Sequence, residues 1–169
     1  MKLRNTLAGL SAALLMTASP AFARVEASTK DLLEVLSTNG IQITVNDPES
    51  CDGSYHGKYQ WAGMKRWMIL CPGDDIDAGD HDTVRHEAVH AIQHCMNVAR
   101  GQTNYNLPIA KPEKVWEMAK ELLPPSIIGA IGTNYDEDQW LVELEAALLA
   151  REMSGQEIAE MFVRACVAT

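Results

Sequence analysis

The sequence predicts a small α+β domain in which a short antiparallel sheet packs on about five helices. Three observations support this fold class. Apolar residues recur at helical spacing in one segment near the start of the chain and in four segments of its second half. Three short segments with strand-like patterns lie close together between residues 41 and 71. The chain has no internal repeats or low-complexity tracts, so we expect one domain.

Residues 1–23 are predicted to form a signal peptide. Lys2 and Arg4 precede an apolar run over residues 7–16, and Ala-Phe-Ala at residues 21–23 fits a cleavage site. The run is shorter than the ~20 residues that cross a bilayer, so cleavage is favoured over a membrane anchor. We expect residues 24–169 to form one exported domain, periplasmic or secreted, without a membrane span.

The charge of the mature chain argues against a nucleic-acid partner. Removal of residues 1–23 takes away two of the 14 basic residues and none of the 23 acidic ones, which leaves a net charge of −11. A chain without a basic patch has little with which to neutralise phosphates. We expect no nucleic acid to bind, and the sequence does not indicate an oligomeric state.

The first predicted helix begins at Ser28 or Thr29, either of which can cap it, and ends before Gly40. Its apolar side contains Leu32, Leu33 and Leu36. Alternating or bulky apolar residues then predict strands at residues 41–45, 58–62 and 66–71. The third of these is typical of a buried core strand.

A long helix is predicted over residues 82–100. Asp82 is an N-cap candidate, no Pro or Gly interrupts the segment, and Gly101 suits a left-handed C-cap. The segment has an apolar stripe at helical spacing, formed by Val84, Ala88, Ala91, Ile92, Cys95 and Met96.

Three more helices complete the predicted domain. The first covers residues 112–123 and ends at two prolines, with an inward face of Val115, Trp116, Ala119, Leu122 and Leu123. A linker that contains Gly129 and Gly132 precedes a helix over residues 137–153. Ser154 and Glu157 then predict a capping box for the last amphipathic helix.

Four cysteines predict two disulfides. An even number in an exported chain favours disulfides over free thiols, and three pairings are open. We favour Cys51 with Cys71, within the strand-rich part, and Cys95 with Cys166, between the long helix and the last helix. Zinc binding by thiolates is the rival reading, but the chain has no C-x-x-C pair.

The segment His86-Glu87-Ala88-Val89-His90 is an HExxH sequence inside the long predicted helix. Residues four apart lie about 6 Å from each other on one helix face, so the two imidazoles can share one tetrahedral zinc ion. Glu87 then borders the metal without binding it. It can take a proton from a zinc-bound water, whose pKa the metal lowers to about 7. We therefore expect one Zn²⁺ per chain and Glu87 as the catalytic base.

A catalytic zinc has three protein ligands and an open position, so a third ligand is needed. Glu143 lies on the helix over residues 137–153 among small alanines, which would let that helix approach HEAVH closely. Glu145 is turned about 200° away on the same helix, so both glutamates cannot be ligands. Glu143 is the preferred third ligand and Glu145 the alternative, otherwise a buried partner of a ligand or an exposed residue.

These segments resemble a known family. HEAVH followed by an ExxA helix is similar to zincins of the gluzincin type, and ELEAALLA resembles the ExEAxxxA stretch of ImmA/IrrE-type and HtpX-type metallopeptidases. The resemblance implies a minimal zincin-like domain, His86 and His90 as zinc ligands, Glu87 as catalytic base and Glu143 as third ligand. It covers about a tenth of the mature chain. Ala147 departs from the pattern, because many members have Asp or Asn there to orient a ligand histidine.

The resulting functional prediction is an exported zinc metallopeptidase that hydrolyses peptide bonds. An additional group would stabilise the oxyanion of the reaction, and the candidates are Tyr135, His94, Tyr105 and His81. His94 is about 12 Å along the helix from His86 and is expected to pack or to support a ligand. The alternative is a disulfide-stapled zinc-binding domain without proteolysis, which retains metal or contacts an envelope protein.

Overall fold

The computed structural model describes residues 27–51, 53, 56–72, 78–102 and 107–167. Within these ranges the chain forms six helices and three strands, which confirms the α+β fold class. The elements in chain order are α1 (Ala27–Thr38), β1 (Ile41–Val45), β2 (Gly57–Ala62), β3 (Lys65–Leu70), α2 (Ala78–Ala99), α3 (Pro112–Leu122), α4 (Pro125–Asn134), α5 (Trp140–Glu152) and α6 (Gly155–Cys166). The predicted signal peptide, residues 1–23, lies outside the described residues.

The three strands form one mixed sheet in the order β1-β3-β2. β2 and β3 are antiparallel neighbours joined at Gly63, whose φ of 60° suits a glycine in a tight turn. β1 pairs with β3 in parallel, so the prediction of an antiparallel sheet is wrong for this pair. Side-chain patterns report burial but not strand direction, and β1 reaches the far side of β3 through a connection that contains β2. β3 is the central strand, and β2 forms one edge.

The long helix α2 begins earlier than predicted. It starts at Ala78, so Asp82 is not its N-cap, and the Asp82 carboxylate pairs instead with Arg85. Its end agrees with the prediction. Gly101 has a φ of 68°, and its N–H donates to the carbonyl of Val98, as expected of a left-handed C-cap.

A helix, α4, replaces the predicted linker between residues 124 and 136. It begins at Pro125, where a missing N–H is tolerated, and continues through Gly129 and Gly132. Each glycine lowers helix propensity by about 1 kcal/mol, which is why the sequence favoured a linker. Packing overrides that preference, because Ile131 is buried against α3 and α5 together with Ile127 and Ile128.

α1 already includes Ala27, so the prediction that Ser28 or Thr29 caps it is wrong. The remaining helices follow the predicted positions closely, with one exception in the inward face of α3. Val115, Ala119 and Leu123 are buried, but Trp116 and Leu122 are each 39 % exposed, so their predicted burial is wrong. α3 contacts α4 and α5, and the apolar stripe that it buries is narrower than its apolar sequence pattern. The capping box of Ser154 and Glu157 at α6 is confirmed.

Two apolar clusters form the core. The first lies between α1, the sheet, α2 and α6, and the second lies between α3, α4 and α5. α5 contributes Ala146 to the first cluster and Leu144 and Leu148 to the second. This helix therefore joins the two halves of the domain and lies against α2, which is the placement that matters for the site.

The structure contains two disulfides in its described part. The disulfides are Cys51–Cys71 and Cys95–Cys166, which confirms the favoured pairing. The second ties α2 to α6. Over the described part of the chain, every helix is too short or too polar to cross a bilayer. The two disulfides are compatible with an exported protein.

We predict that Gly155→Ala destabilises the fold. A Cβ at Gly155 would collide with the backbone carbonyl of Ser28, lying 2.7 Å from its carbon and 3.1 Å from the nitrogen of Thr29. Backbone atoms of α1 cannot rotate away, so the free energy of unfolding should fall by about 1–3 kcal/mol. Urea unfolding with the disulfides intact measures the change.

The matched control is Gly129→Ala, a helical glycine with open space around its Cβ position. Its stability should be unchanged or up to about 1 kcal/mol higher, because alanine favours helix more than glycine does. Equal stability of the two variants would contradict the close packing of α6 on α1.

Candidate metal centre

α2 places two histidines one turn apart on the side that faces α5. The Nε2 atoms of His86 and His90 are 3.0 Å apart, and the two rings meet edge to face. Each side chain is only partly exposed, at 20 % and 17 %. The helical spacing of HExxH therefore brings both ring nitrogens to one point, as the sequence predicts.

α5 adds a carboxylate at the same point. The Glu143 Oε2 atom lies 3.1 Å from Nε2 of His86, and its Oε1 atom lies 3.4 Å from Nε2 of His90. The approach is close because small residues of α5, Ala146 and Ala150, are buried beside α2. One ligand atom from each of the three side chains lies within 4.8 Å of the others, so this group could hold a metal ion.

The donor set fits zinc. Two imidazole nitrogens and one carboxylate oxygen form the His₂Glu combination that catalytic zinc sites use with one position left open. The group also borders a cleft, so a further position can be reached from solvent. The fit depends on ligand chemistry and convergence, and it does not identify the metal.

Glu145 is not part of this group. Its side chain is 3 % exposed and accepts hydrogen bonds from the backbone nitrogens of Ile109 at 2.6 Å and Ala110 at 2.8 Å. It also accepts one from Nε2 of Gln93 at 3.0 Å. Residues two positions apart on a helix point about 200° away from each other, which separates the two glutamates. Of the two, Glu143 is the one that meets the histidines.

Charges in the group stabilise each other in the metal-free protein. Burial alone lowers the pKa of His90, but its hydrogen bond to Glu143 and the charges of Glu87 and Glu143 outweigh burial and raise that pKa to about 9. Burial raises the pKa of Glu143, but the hydrogen bonds and charges of His86 and His90 lower it to about 2. His90 and Glu143 therefore form an ion pair at neutral pH in the metal-free protein.

Glu87 lies beside the group with its carboxylate fixed by the sheet. The backbone N–H of Tyr59 on β2 donates to Glu87 Oε2 at 2.6 Å. This approach requires glycine at residue 57, where a Cβ would lie 2.5 Å from Thr83 and 3.0 Å from Cγ of Glu87. Glu87 is 7 % exposed and borders the cleft. The carboxylate is therefore close to His86, His90 and Glu143 and lies at the edge of the cleft.

A cleft runs past Glu87 between β2 and α5. Its two parts have volumes of about 380 Å³ and 730 Å³. Both are lined by Gly57, Glu87 and Tyr135. One part reaches His90 and Gln139, and the other reaches His86 and Arg151. The cleft therefore extends to both sides of the group formed by His86, His90 and Glu143.

Among the predicted oxyanion donors that the structure describes, Tyr135 lies at the cleft. Burial and then the charges of Glu143 and Glu87 raise the pKa of Tyr135 to about 12, so its hydroxyl keeps its proton at neutral pH. His94 lies elsewhere, with Nδ1 2.7 Å from the Tyr59 hydroxyl and its ring against Trp61. His81 contacts Thr29 of α1, and Tyr105 lies outside the described residues.

The sequence reasoning missed two residues of the site. Gln93 bonds to His90, with 2.8 Å between Oε1 and Nδ1, and Tyr59 holds Glu87 through its backbone. The spacing of three residues between His90 and Gln93 is a signal that could have identified the first. The second could not be identified, because any residue except proline offers the same backbone donor.

Comparison of the chain with protein-family models, with curated proteins and with solved structures finds no match. The resemblance to gluzincins therefore depends on the residues of HEAVH and of the ExxA helix. Any functional conclusion has to come from the side chains that the fold brings together. A site is the proper basis for such a conclusion, because one fold can carry many functions.

We predict a stability window for the metal-free protein. His90 has a folded pKa of about 9 against 6.5 unfolded, so its contribution is full below pH 6.5 and is lost as pH rises through 9. Glu143 has a folded pKa of about 2 against 4.5 unfolded, so its contribution is full above pH 4.5 and is lost as pH falls. The contribution of this pair to the free energy of unfolding should be greatest between pH 4.5 and pH 6.5.

Urea unfolding of chelator-treated protein inside this window and at higher pH measures the effect. The control is Glu143→Gln, which removes the charge that faces His90 and should flatten the decline above pH 6.5. The ion pair is refuted if Glu143→Gln leaves the profile unchanged.

Proposed function

We propose that this protein is a zinc-dependent metallopeptidase that hydrolyses peptide bonds. The observation that supports this most strongly is the meeting of Glu143 with His86 and His90, with the Glu87 carboxylate beside them at a cleft. A site that only stabilises the fold has no use for a carboxylate base next to the ligands, and it normally closes its fourth position with a side chain. The donor set and the base together favour catalysis.

In this proposal His86, His90 and Glu143 hold the zinc ion. When bound, zinc lowers the pKa of a coordinated water to about 7 and polarises a carbonyl group. The opposite charges and hydrogen bonds between the three side chains keep the ligand atoms within 4.8 Å of one another. Little rearrangement is therefore needed for them to bind one ion, which lowers the cost of binding.

Glu87 is the general base. Its Oε2 atom is held by the Tyr59 N–H, so the carboxylate has a fixed orientation at the edge of the cleft. From this position it takes a proton from the attacking water and later gives a proton to the leaving amine. β2 therefore supports catalysis through its backbone while its other side pairs with β3.

Tyr135 is the proposed donor to the oxyanion. Its raised pKa keeps the hydroxyl protonated, and its proximity to Glu143 and Glu87 places it across the cleft from α2. A neutral hydroxyl that donates to a developing negative charge stabilises the transition state more than the substrate. α4 positions this residue, because Tyr135 is its C-cap.

The cleft suits an extended chain. Its two parts extend from Glu87 in both directions along β2, so residues on either side of a scissile bond can be accommodated. β2 is an edge strand of the sheet, and an extended peptide can align with such an edge. We propose that the substrate is a peptide or protein segment in extended conformation. Export to a periplasm or the cell exterior is proposed with it, supported by the two disulfides.

We predict one zinc ion per chain and peptide cleavage that depends on Glu87. Zinc should be lost in His86→Ala and in Glu143→Ala, because each removes one of three ligands. Glu87→Gln should keep zinc and lower kcat/KM by about 10²- to 10⁴-fold, the usual contribution of a general base. Elemental analysis and cleavage of a peptide library measure the two effects.

The matched control is Glu152→Ala, an exposed glutamate on the same helix as Glu143, which should keep both zinc and activity. Absence of zinc from the wild-type protein would overturn the proposal. Zinc that binds while the library remains uncut would favour a zinc-binding domain without proteolysis.

We predict that Tyr135→Phe lowers kcat without loss of zinc. The ring is retained and only the donor is removed, so kcat should fall by about 10²-fold, as for other oxyanion donors. Steady-state kinetics and zinc content on the same preparation separate the two roles. An unchanged kcat would exclude Tyr135 as the donor.

A further inference from the structure

Gln93 connects a metal-binding histidine to the second glutamate of α5. The Gln93 side chain is 1 % exposed and lies on α2, three residues after His90. Its Oε1 atom is 2.8 Å from Nδ1 of His90. Its Nε2 atom is 3.0 Å from Oε2 of Glu145 and 3.0 Å from the carbonyl oxygen of Val142. One buried amide therefore spans the distance between α2 and α5.

The surroundings determine which way this amide is turned. The carbonyl of Val142 only accepts hydrogen bonds. Glu145 accepts from the backbone N–H groups of Ile109 and Ala110, which only donate, so its oxygens face donors. The amide nitrogen of Gln93 must face these two acceptors, which leaves its oxygen toward His90. The opposite orientation would place an acceptor against two acceptors at a buried site, which is costly.

This orientation fixes the tautomer of His90. An amide oxygen accepts only, so Nδ1 of His90 must donate its hydrogen to Gln93. A neutral imidazole carries one hydrogen, and its lone pair is then on Nε2. Nε2 is the atom that faces His86 and Glu143. The ring is therefore presented to a metal through the correct nitrogen.

We infer that Gln93, anchored by Glu145, is a positioning residue that holds His90 in the tautomer that binds metal through Nε2. This inference rests on the proposed role of His90 as a zinc ligand. Such partners of ligand histidines fix ring orientation and strengthen metal binding. Here the partner comes from α2 itself, whereas Ala147 stands on α5 where many members of the resembling families have Asp or Asn.

Glu145 gives this arrangement its rigidity. Its three donors come from Gln93 and from the segment that leads from α2 to α3, at Ile109 and Ala110. Asn97 fixes the same segment, since its Nδ2 donates to the carbonyl of Leu107 at 2.8 Å. The orientation of His90 is thus supported from the loop after α2, at a distance from the cleft.

The test compares Gln93→Met with Thr29→Val. Both replace a buried polar side chain by an apolar one of similar size, and the wild-type side chains are 1 % and 0 % exposed, but only Gln93 contacts His90. Thr29 lies on α1 and contacts His81 instead. Zinc affinity, measured by competition with a chelator, should fall about 10- to 100-fold in Gln93→Met. Zinc affinity should be unchanged in Thr29→Val, even where that variant unfolds more easily in urea.

A second measurement uses the wild-type protein and needs no variant. In the zinc-loaded protein, ¹⁵N NMR of the His90 ring should show a hydrogen on Nδ1 that exchanges slowly with solvent, because it is hydrogen-bonded to the buried Gln93 side chain. Coordination through Nδ1, or an Nδ1 hydrogen that exchanges as fast as in a free imidazole, would overturn the inference.

The outcomes separate the two proposals. Loss of zinc in His86→Ala and Glu143→Ala together with unchanged affinity in Gln93→Met leaves the metallopeptidase standing and refutes the positioning role. A wild-type protein that binds no zinc refutes both. Equal weakening in Gln93→Met and Thr29→Val also refutes the positioning role, because the effect would then come from loss of a buried polar side chain in general.

Discussion

Two carboxylates buried two residues apart on α5 impose the main constraint on this structure. Glu143 is 7 % exposed and Glu145 is 3 % exposed, and a buried charge is costly unless it is paired and hydrogen-bonded. The two carboxylates are paired with different groups on opposite sides of α5. On one side, α2 offers His86 and His90, and on the other, the loop before α3 offers backbone N–H groups with the Gln93 amide. The candidate metal site is one of the two solutions to this constraint.

α2 provides partners to both carboxylates, His86 and His90 to Glu143 and Gln93 to Glu145. It contacts α5, α6 and the sheet. Its apolar residues are buried in the core, while polar residues of the site face α5 and β2. Small residues make the contacts close enough for side chains to meet: Gly57 on the β2 side and Ala146 and Ala150 on the α5 side. The Cys95–Cys166 disulfide holds the far side of α2 against α6. Precision at the site therefore depends on packing at several faces of one helix.

Part of the fold and of the site could be predicted because it depends on neighbours in sequence. The three strand positions, the Gly101 cap and the Ser154 capping box are set by residue patterns over a few positions. α4 was missed because Gly129 and Gly132 lower its propensity, and packing of Ile131 in the second core cluster outweighs them. The parallel pairing of β1 with β3 was missed because strand direction depends on the path of the connection.

The sequence by itself determined that His86, Glu87 and His90 lie on neighbouring positions of one helix, because helical periodicity is a local property of the backbone. It also narrowed the third member to two glutamates. Only the tertiary structure decided between them, since the choice depends on which glutamate of α5 reaches the two histidines of α2. The same holds for Gln93, whose role follows from the acceptors that surround it. Burial and hydrogen-bond pairing of residues distant in sequence are fixed only when the helices pack.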